Sequence, residues 1–104
     1  MENKEYDIIT SDAALAMLDS HMDFLARVSK NAALRTMEEI LSAIESLNKN
    51  PERYPAYDNP FVSDNRYRKM PAAKRYLVLY EVSGGTVFVD FIVDCRQDYE
   101  WLLI

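Results

Sequence analysis

Halfway along this chain the spacing of the apolar residues changes, and few folds accommodate both halves. From Ala13 to Val28, Leu15, Leu18, Met22 and Leu25 recur at helical intervals. From Ala32 to Asn48, Ala33, Met37, Ile40, Ile44 and Leu47 do the same. Ser29, Lys30 and Asn31 leave only a short break, so the two predicted helices form an antiparallel hairpin. Thr10, Ser11 and Asp12 offer N-cap oxygens to the first helix. Asn50-Pro51 ends the second, because proline disfavours helix in the residue before it.

The second half reads differently. Residues 51–64 (PERYPAYDNPFVSD) hold three prolines and form an irregular connection. Residues 65–71, 75–82 and 86–94 read as strands, and Ser83-Gly84-Gly85 joins the last two as a hairpin. Alternation in the last strand places Val87, Val89, Phe91 and Val93 on one face. Phe88 and Ile92 fall on the other with Asp90 and Asp94, so both faces are apolar and the strand is central. Residues 5–9 (EYDII) add a short strand at the start. The order is β-α-α-β-β-β: an α+β fold in which a helical hairpin packs on a small antiparallel sheet.

At 104 residues the chain, read as one domain over 1–104, is long enough to bury a core. Its only glycines, Gly84 and Gly85, leave no glycine-rich phosphate loop. There is no apolar run of about 18 residues and no basic-then-apolar start, so neither a membrane span nor a signal peptide is expected. The single cysteine, Cys95, excludes an intrachain disulfide and fits a reducing, cytoplasmic setting. One histidine, His21, and no cysteine pair argue against a zinc site, and no cofactor is expected. His21 lies in a polar stretch and is expected at the surface.

Charge is unevenly placed. The net charge is -5, with 5 basic and 9 acidic groups in residues 1–50 against 7 and 8 in residues 51–104. Against this background stands the block Asn65 to Tyr80, NRYRKMPAAKRYLVLY, with Arg66, Arg68, Lys69, Lys74 and Arg75 among Tyr67, Tyr76 and Tyr80 and no acid. Such a block suits phosphate and bases, or an acidic protein partner. Because alternation sends Arg68 and Lys69 to opposite faces, only part of it can line one cleft.

Several segments together resemble the RelE/ParE superfamily of bacterial type II toxins, small partners of antitoxin proteins. They are Phe24-Leu25-Ala26 followed by Ala32-Ala33, Ile44-Glu45-Ser46-Leu47 with Pro51, and Tyr67-Arg68-Lys69-Met70. Arg75-Tyr76-Leu77-Val78-Leu79-Tyr80-Glu81 and Asp94-Cys95-Arg96-Gln97-Asp98-Tyr99 complete the set. The resemblance implies a toxin with a cognate antitoxin. RelE-like members cleave messenger RNA on the ribosome without a metal, and ParE-like members share the fold but inhibit DNA gyrase.

Metal-free RNA cleavage needs a group that activates the 2′-OH, cations for the phosphorane and an acid for the leaving oxygen. The candidates for such a site are Arg68, Lys69, Arg75, Arg96 and Tyr99. Arg68 and Lys69 also suit the solvated face of an edge strand, and Arg96 also suits an ion pair with Asp94 or Asp98. Two positions depart from the ribonuclease pattern. Asp98 stands where relatives with Cys-Arg-x-His-Tyr carry histidine, and Leu77 stands where Tyr-Arg-x-x-Tyr relatives carry arginine. Both departures lower the ribonuclease reading and raise a ParE-like or degenerate one. The function expected is a type II toxin acting as a ribosome-dependent messenger RNA endonuclease, with a ParE-like toxin that binds gyrase as the alternative, or, given the acidic net charge, an antitoxin-binding module without toxicity.

The remaining residues read more plainly. Cys95, beside Arg96, is either a thiol of lowered pKa or a small buried hydrophobe. Glu38, Glu39 and Glu45 belong to the solvated side of the second helix. Tyr54 and Tyr57 either stack on a ligand or pack over the sheet. The apolar end Trp101-Leu102-Leu103-Ile104 is expected to be buried, in its own core or against a partner.

Overall fold

The computed structural model describes residues 5–57 and 66–95. The order is β1 (Asp7–Thr10), α1 (Asp12–Ala26), α2 (Lys30–Glu45), β2 (Arg68–Ala72), β3 (Tyr76–Ser83) and β4 (Thr86–Asp94). Two short 3₁₀ turns, Ser46–Asn48 and Pro51–Arg53, follow α2. The apolar end at 101–104 and the beginning of the expected strand at Asn65 lie outside the described residues.

Each helix begins on a serine. Ser11, in extended backbone, accepts from the Ala14 amide at 3.0 Å, and Ser29 accepts from Ala32 at 3.1 Å. Each bond satisfies one of the amides a helix start leaves without a partner. The hairpin break is therefore Arg27-Val28-Ser29, slightly earlier than the spacing predicts. At the far end of α2 the chain reverses through Asn50 (φ 50), a residue type that tolerates the left-handed region. The Arg53 guanidinium then donates to the carbonyls of Lys49 (2.6 Å) and Asn50 (3.0 Å).

The buried face of α1 is Ala14, Leu18 and Met22; that of α2 is Ala33, Ile40 and Ile44, continued by Leu47. Leu15, expected in the core, is 47% exposed. Ala14 takes the inward position, and the next residue lies about 100° around the helix.

The sheet runs β1-β4-β3-β2. The expected antiparallel pairing holds for β2, β3 and β4, but β1 joins β4 in parallel, so the sheet is mixed. Residues 55–57 lie along the outer side of β2: Lys69 N–H donates to the Pro55 carbonyl and Tyr57 N–H to the Tyr67 carbonyl. Gly84 (φ 60) takes the positive φ that a tight hairpin demands between the paired Ser83 and Thr86.

A β-bulge changes the faces of β4. Tyr80 pairs with Val89 but Leu79 with Phe91, which leaves Asp90 as the extra residue. Simple alternation puts Val87, Val89, Phe91 and Val93 together. Instead Val87, Val89 and Ile92 join the core under the helices, while Phe91 and Val93 turn to the opposite face. Beyond Thr10, β1 ends and α1 runs along the edge of β4. Ser11 Oγ donates to the Asp90 carbonyl (3.1 Å) and His21 Nε2 to the Ile92 carbonyl (2.8 Å). His21 is thus a half-buried group that satisfies a strand edge and touches the Tyr76 ring, with centroids 5.4 Å apart. It is not the plain surface residue the sequence predicts.

The main core joins Leu18, Ile40, Ile44 and Leu47 to Met70, Val78, Tyr80, Val87, Val89 and Ile92. Tyr80 is fully buried, and its hydroxyl donates to the Pro51 carbonyl, fastening the connection to the sheet. Burial pushes that hydroxyl up to about 12. A smaller cluster on the opposite face holds Tyr67, Leu79 and Val93, with Leu77, Phe91, Tyr57 and Met17 packed against it.

Candidate functional site

The basic block divides among three places. Arg68 opens β2 opposite Tyr80, on the side of the main core. Its guanidinium donates to the carbonyls of Tyr54 (2.6 Å) and Glu52 (3.2 Å), with the Glu52 carboxylate at 3.9 Å. Those bonds hold the second 3₁₀ turn against the sheet. Lys69, opposite Leu79, lies on the other face, and among the described residues its side chain has no ion pair. Arg75 is exposed in the turn between β2 and β3. Arg68, Lys69 and Arg75 therefore do not converge. Arg96 and Tyr99, with Asp98, lie outside the described residues.

The face of the sheet opposite the main core is largely apolar, with Met17 of α1 packed against it. Leu77 sits there, packed on the cluster of Tyr67, Leu79 and Val93. Tyr67 meets the Phe91 ring edge-on, centroids 5.8 Å apart, and donates its hydroxyl to Asp90 Oδ2 at 3.0 Å. Burial, then the hydrogen bond to Asp90, pushes the Tyr67 hydroxyl up to about 12. Burial also raises the Asp90 carboxyl above its ordinary value, against the lowering effect of that bond. Arg66, beside this pair, is held by Glu81 at 2.5 Å and lies 5.1 Å over the Tyr67 ring. Among the described residues this face thus offers a partly buried carboxylate, a tyrosine and one unpaired cation, Lys69. A phosphorane needs cations in register, and a carboxylate opposes it.

Other expectations resolve into structural roles. Tyr54 packs against the main core under the Arg53 guanidinium (4.8 Å), and Tyr57 packs against the smaller cluster. Both serve packing here. Cys95 is exposed, not a buried hydrophobe. Its thiol is pushed up, by partial burial first and then by the Asp94 carboxylate, which opposes the activated-thiolate reading. Glu38, Glu39 and Glu45 are exposed on α2 as expected. Among the described residues no three His, Cys, Asp or Glu side chains gather as metal ligands.

One concave site draws on a residue that the sequence did not single out. A cleft of about 310 Å³ opens between the helical hairpin and the β2–β3 turn, and Arg35, Lys74 and Arg75 line it with Glu39. Arg35 stands alone on an exposed helix turn, so no local pattern marks it; only the fold brings it beside the turn.

The sequence model of one family, the ParE toxin of the type II toxin-antitoxin system parDE, matches residues 8–99, from β1 to beyond β4. The chain belongs to the ParE toxin family. Of the two branches that the superfamily resemblance left open, membership thus falls on the ParE side. Among solved structures, a chain of the chromosomal ParDE toxin-antitoxin system from P. aeruginosa has the same fold. It superposes with a TM-score of 0.73 at 15% identity, covering 88% of this chain and 97% of that one. No curated protein matches by sequence. Among the described residues no helix is long and apolar enough to cross a membrane.

Proposed function

We propose that this ParE-family toxin acts by binding, with DNA gyrase as its target, and that a ParD-like antitoxin holds it inactive. The observation that carries the reading is Leu77. Ribonuclease relatives carry arginine at the corresponding position; here a leucine packs into an apolar face that also holds Tyr67, Phe91 and the raised carboxyl of Asp90. A half-buried leucine there supplies no cation for a phosphorane, which supports action by binding over phosphoryl chemistry. The ParDE origin of the structural relative supports a paired antitoxin.

Purified toxin, freed of any antitoxin, should inhibit gyrase supercoiling at micromolar concentration and leave messages intact in a translating extract mapped by primer extension. Ribosome-dependent cleavage without gyrase inhibition would overturn the reading. It would return Arg68, Lys69, Arg75, Arg96 and Tyr99 to the role of a RelE-like site. Induced expression should arrest growth, and co-expression of the adjacent antitoxin gene should restore it. Normal growth with abundant folded protein would instead favour an antitoxin-binding module.

A further inference from the structure

We infer that the cleft between the helical hairpin and the β2–β3 turn is a binding site for a compact phosphate-bearing ligand, either inorganic phosphate or a small phosphate ester. Arg35 and Thr36 come from α2, Lys74 and Arg75 from the turn, and Leu25 forms an apolar wall. With Glu39 as the one acid, the lining carries a formal charge of +2 in a chain of -5. No ion pair engages Arg35, Lys74 or Arg75 among the described residues, and Glu39 lies beyond ion-pair distance of Arg35. Three cations that line one concave site against a single carboxylate favour an anion there.

The backbone holds them in place. Ala73 (φ 50) and Lys74 (φ 69) are both left-handed, a conformation that hairpin turns usually assign to Asn and Gly. Such strain persists where the surrounding structure requires it, commonly at functional positions. Arg75 is pinned on both sides: its N–H donates to the Ala73 carbonyl, and its carbonyl accepts from Cys95 N–H at 2.7 Å.

The neighbouring surface decides the class of anion. The adjoining groove along α2 shares Arg35 with the cleft and is otherwise lined by Glu38, Glu39, Ser42 and Ser46 with Ala43 and Tyr54. A nucleic-acid strand or acidic peptide that entered the cleft and continued along α2 would meet those carboxylates. A compact anion would not, and two guanidinium forks with an ammonium suit phosphate oxygens. The glutamates at the rim can accept hydroxyl or amino donors from the remainder of a small ester.

The test does not involve gyrase, so its outcome is independent of the proposed target. The full-length toxin is titrated with inorganic phosphate, pyrophosphate and a nucleoside monophosphate, followed by calorimetry and amide NMR. Saturable one-to-one binding is expected, with shifts at Arg35, Thr36, Lys74 and Arg75. Tighter binding of the monophosphate than of phosphate would identify an ester as the ligand; the reverse would identify the free ion. Arg35→Gln and Arg75→Gln should each weaken binding at least about tenfold, as expected for a charge-assisted hydrogen bond. Glu39→Gln should tighten it, which guards against a loss caused by misfolding. Absence of saturation, affinity unmoved by all three substitutions, or stronger binding of an oligonucleotide or poly-glutamate peptide at equal ionic strength would each overturn the inference.

Discussion

Lys74 offers a measurement of the strain in the β2–β3 turn. Its φ of 69 follows Ala73 at φ 50, so two consecutive residues with side chains occupy the left-handed region. An L-residue there costs about 1–2 kcal/mol because Cβ crowds the following carbonyl. Glycine escapes that cost but gives up about 0.5–1 kcal/mol in unfolded-chain entropy. Lys74→Ala removes the ammonium and keeps the strain; Lys74→Gly removes both. The difference between the two variants isolates the backbone, and it should favour glycine by about 0.5–1 kcal/mol. For a domain of this size that corresponds to roughly 2 to 8 °C in melting temperature. Thermal unfolding of the two variants by circular dichroism, in the same buffer, is the assay. A glycine variant that melts no higher than the alanine variant would refute the claim that the turn is strained. Both variants lose the same cation, so any effect of charge on the cleft cancels.

Further outcomes follow from three other side chains. Ser11→Ala should cost about 1–2 kcal/mol in urea unfolding, because it removes the cap on Ala14 and the donor to the Asp90 carbonyl. Ser11→Asp, which can cap but cannot donate, should fall between alanine and wild type. Tyr80→Phe leaves the Pro51 carbonyl without its buried donor and should cost about 1–3 kcal/mol, read from the denaturant midpoint. Asp90 has a carboxyl pKa raised by folding. Its contribution to stability is therefore full below the ordinary carboxylate pKa and lost as pH rises through the raised value. Asp90→Asn should accordingly be more stable than wild type at neutral pH, with the gap closing below about pH 4. A gap that widens on acidification would contradict the sign.

The helices were legible because their burial repeats every three to four residues, as Leu18 with Met22 and Ile40 with Ile44 illustrate. Leu15 misled because Ala14, one position earlier, serves the same face with a smaller side chain. The last strand was legible as a strand but not in its faces. The segment VFVDFIVD gives no sign that Asp90 is an extra residue, and a single insertion reverses every side chain beyond it. The direction of β1 was equally hidden, since an alternating pattern is the same for parallel and antiparallel neighbours. Leu77 was identified from sequence as a departure, and its place in an apolar cluster supplies the physical content. Arg35 was not identified, because convergence on Lys74 and Arg75 is a property of three dimensions that no spacing along the chain encodes.

The parallel pairing of β1 with β4 bears on how the toxin is made. Among the described residues β1 has no other strand neighbour, and Thr10 meets Val89 only across almost the whole domain. On a ribosome the first strand and both helices therefore emerge long before the strand that completes them. The helical hairpin can form early from local contacts, but the sheet closes late, as contacts of long sequence separation do. An antitoxin that recognises the closed sheet can therefore capture this chain only after β4 has left the ribosome.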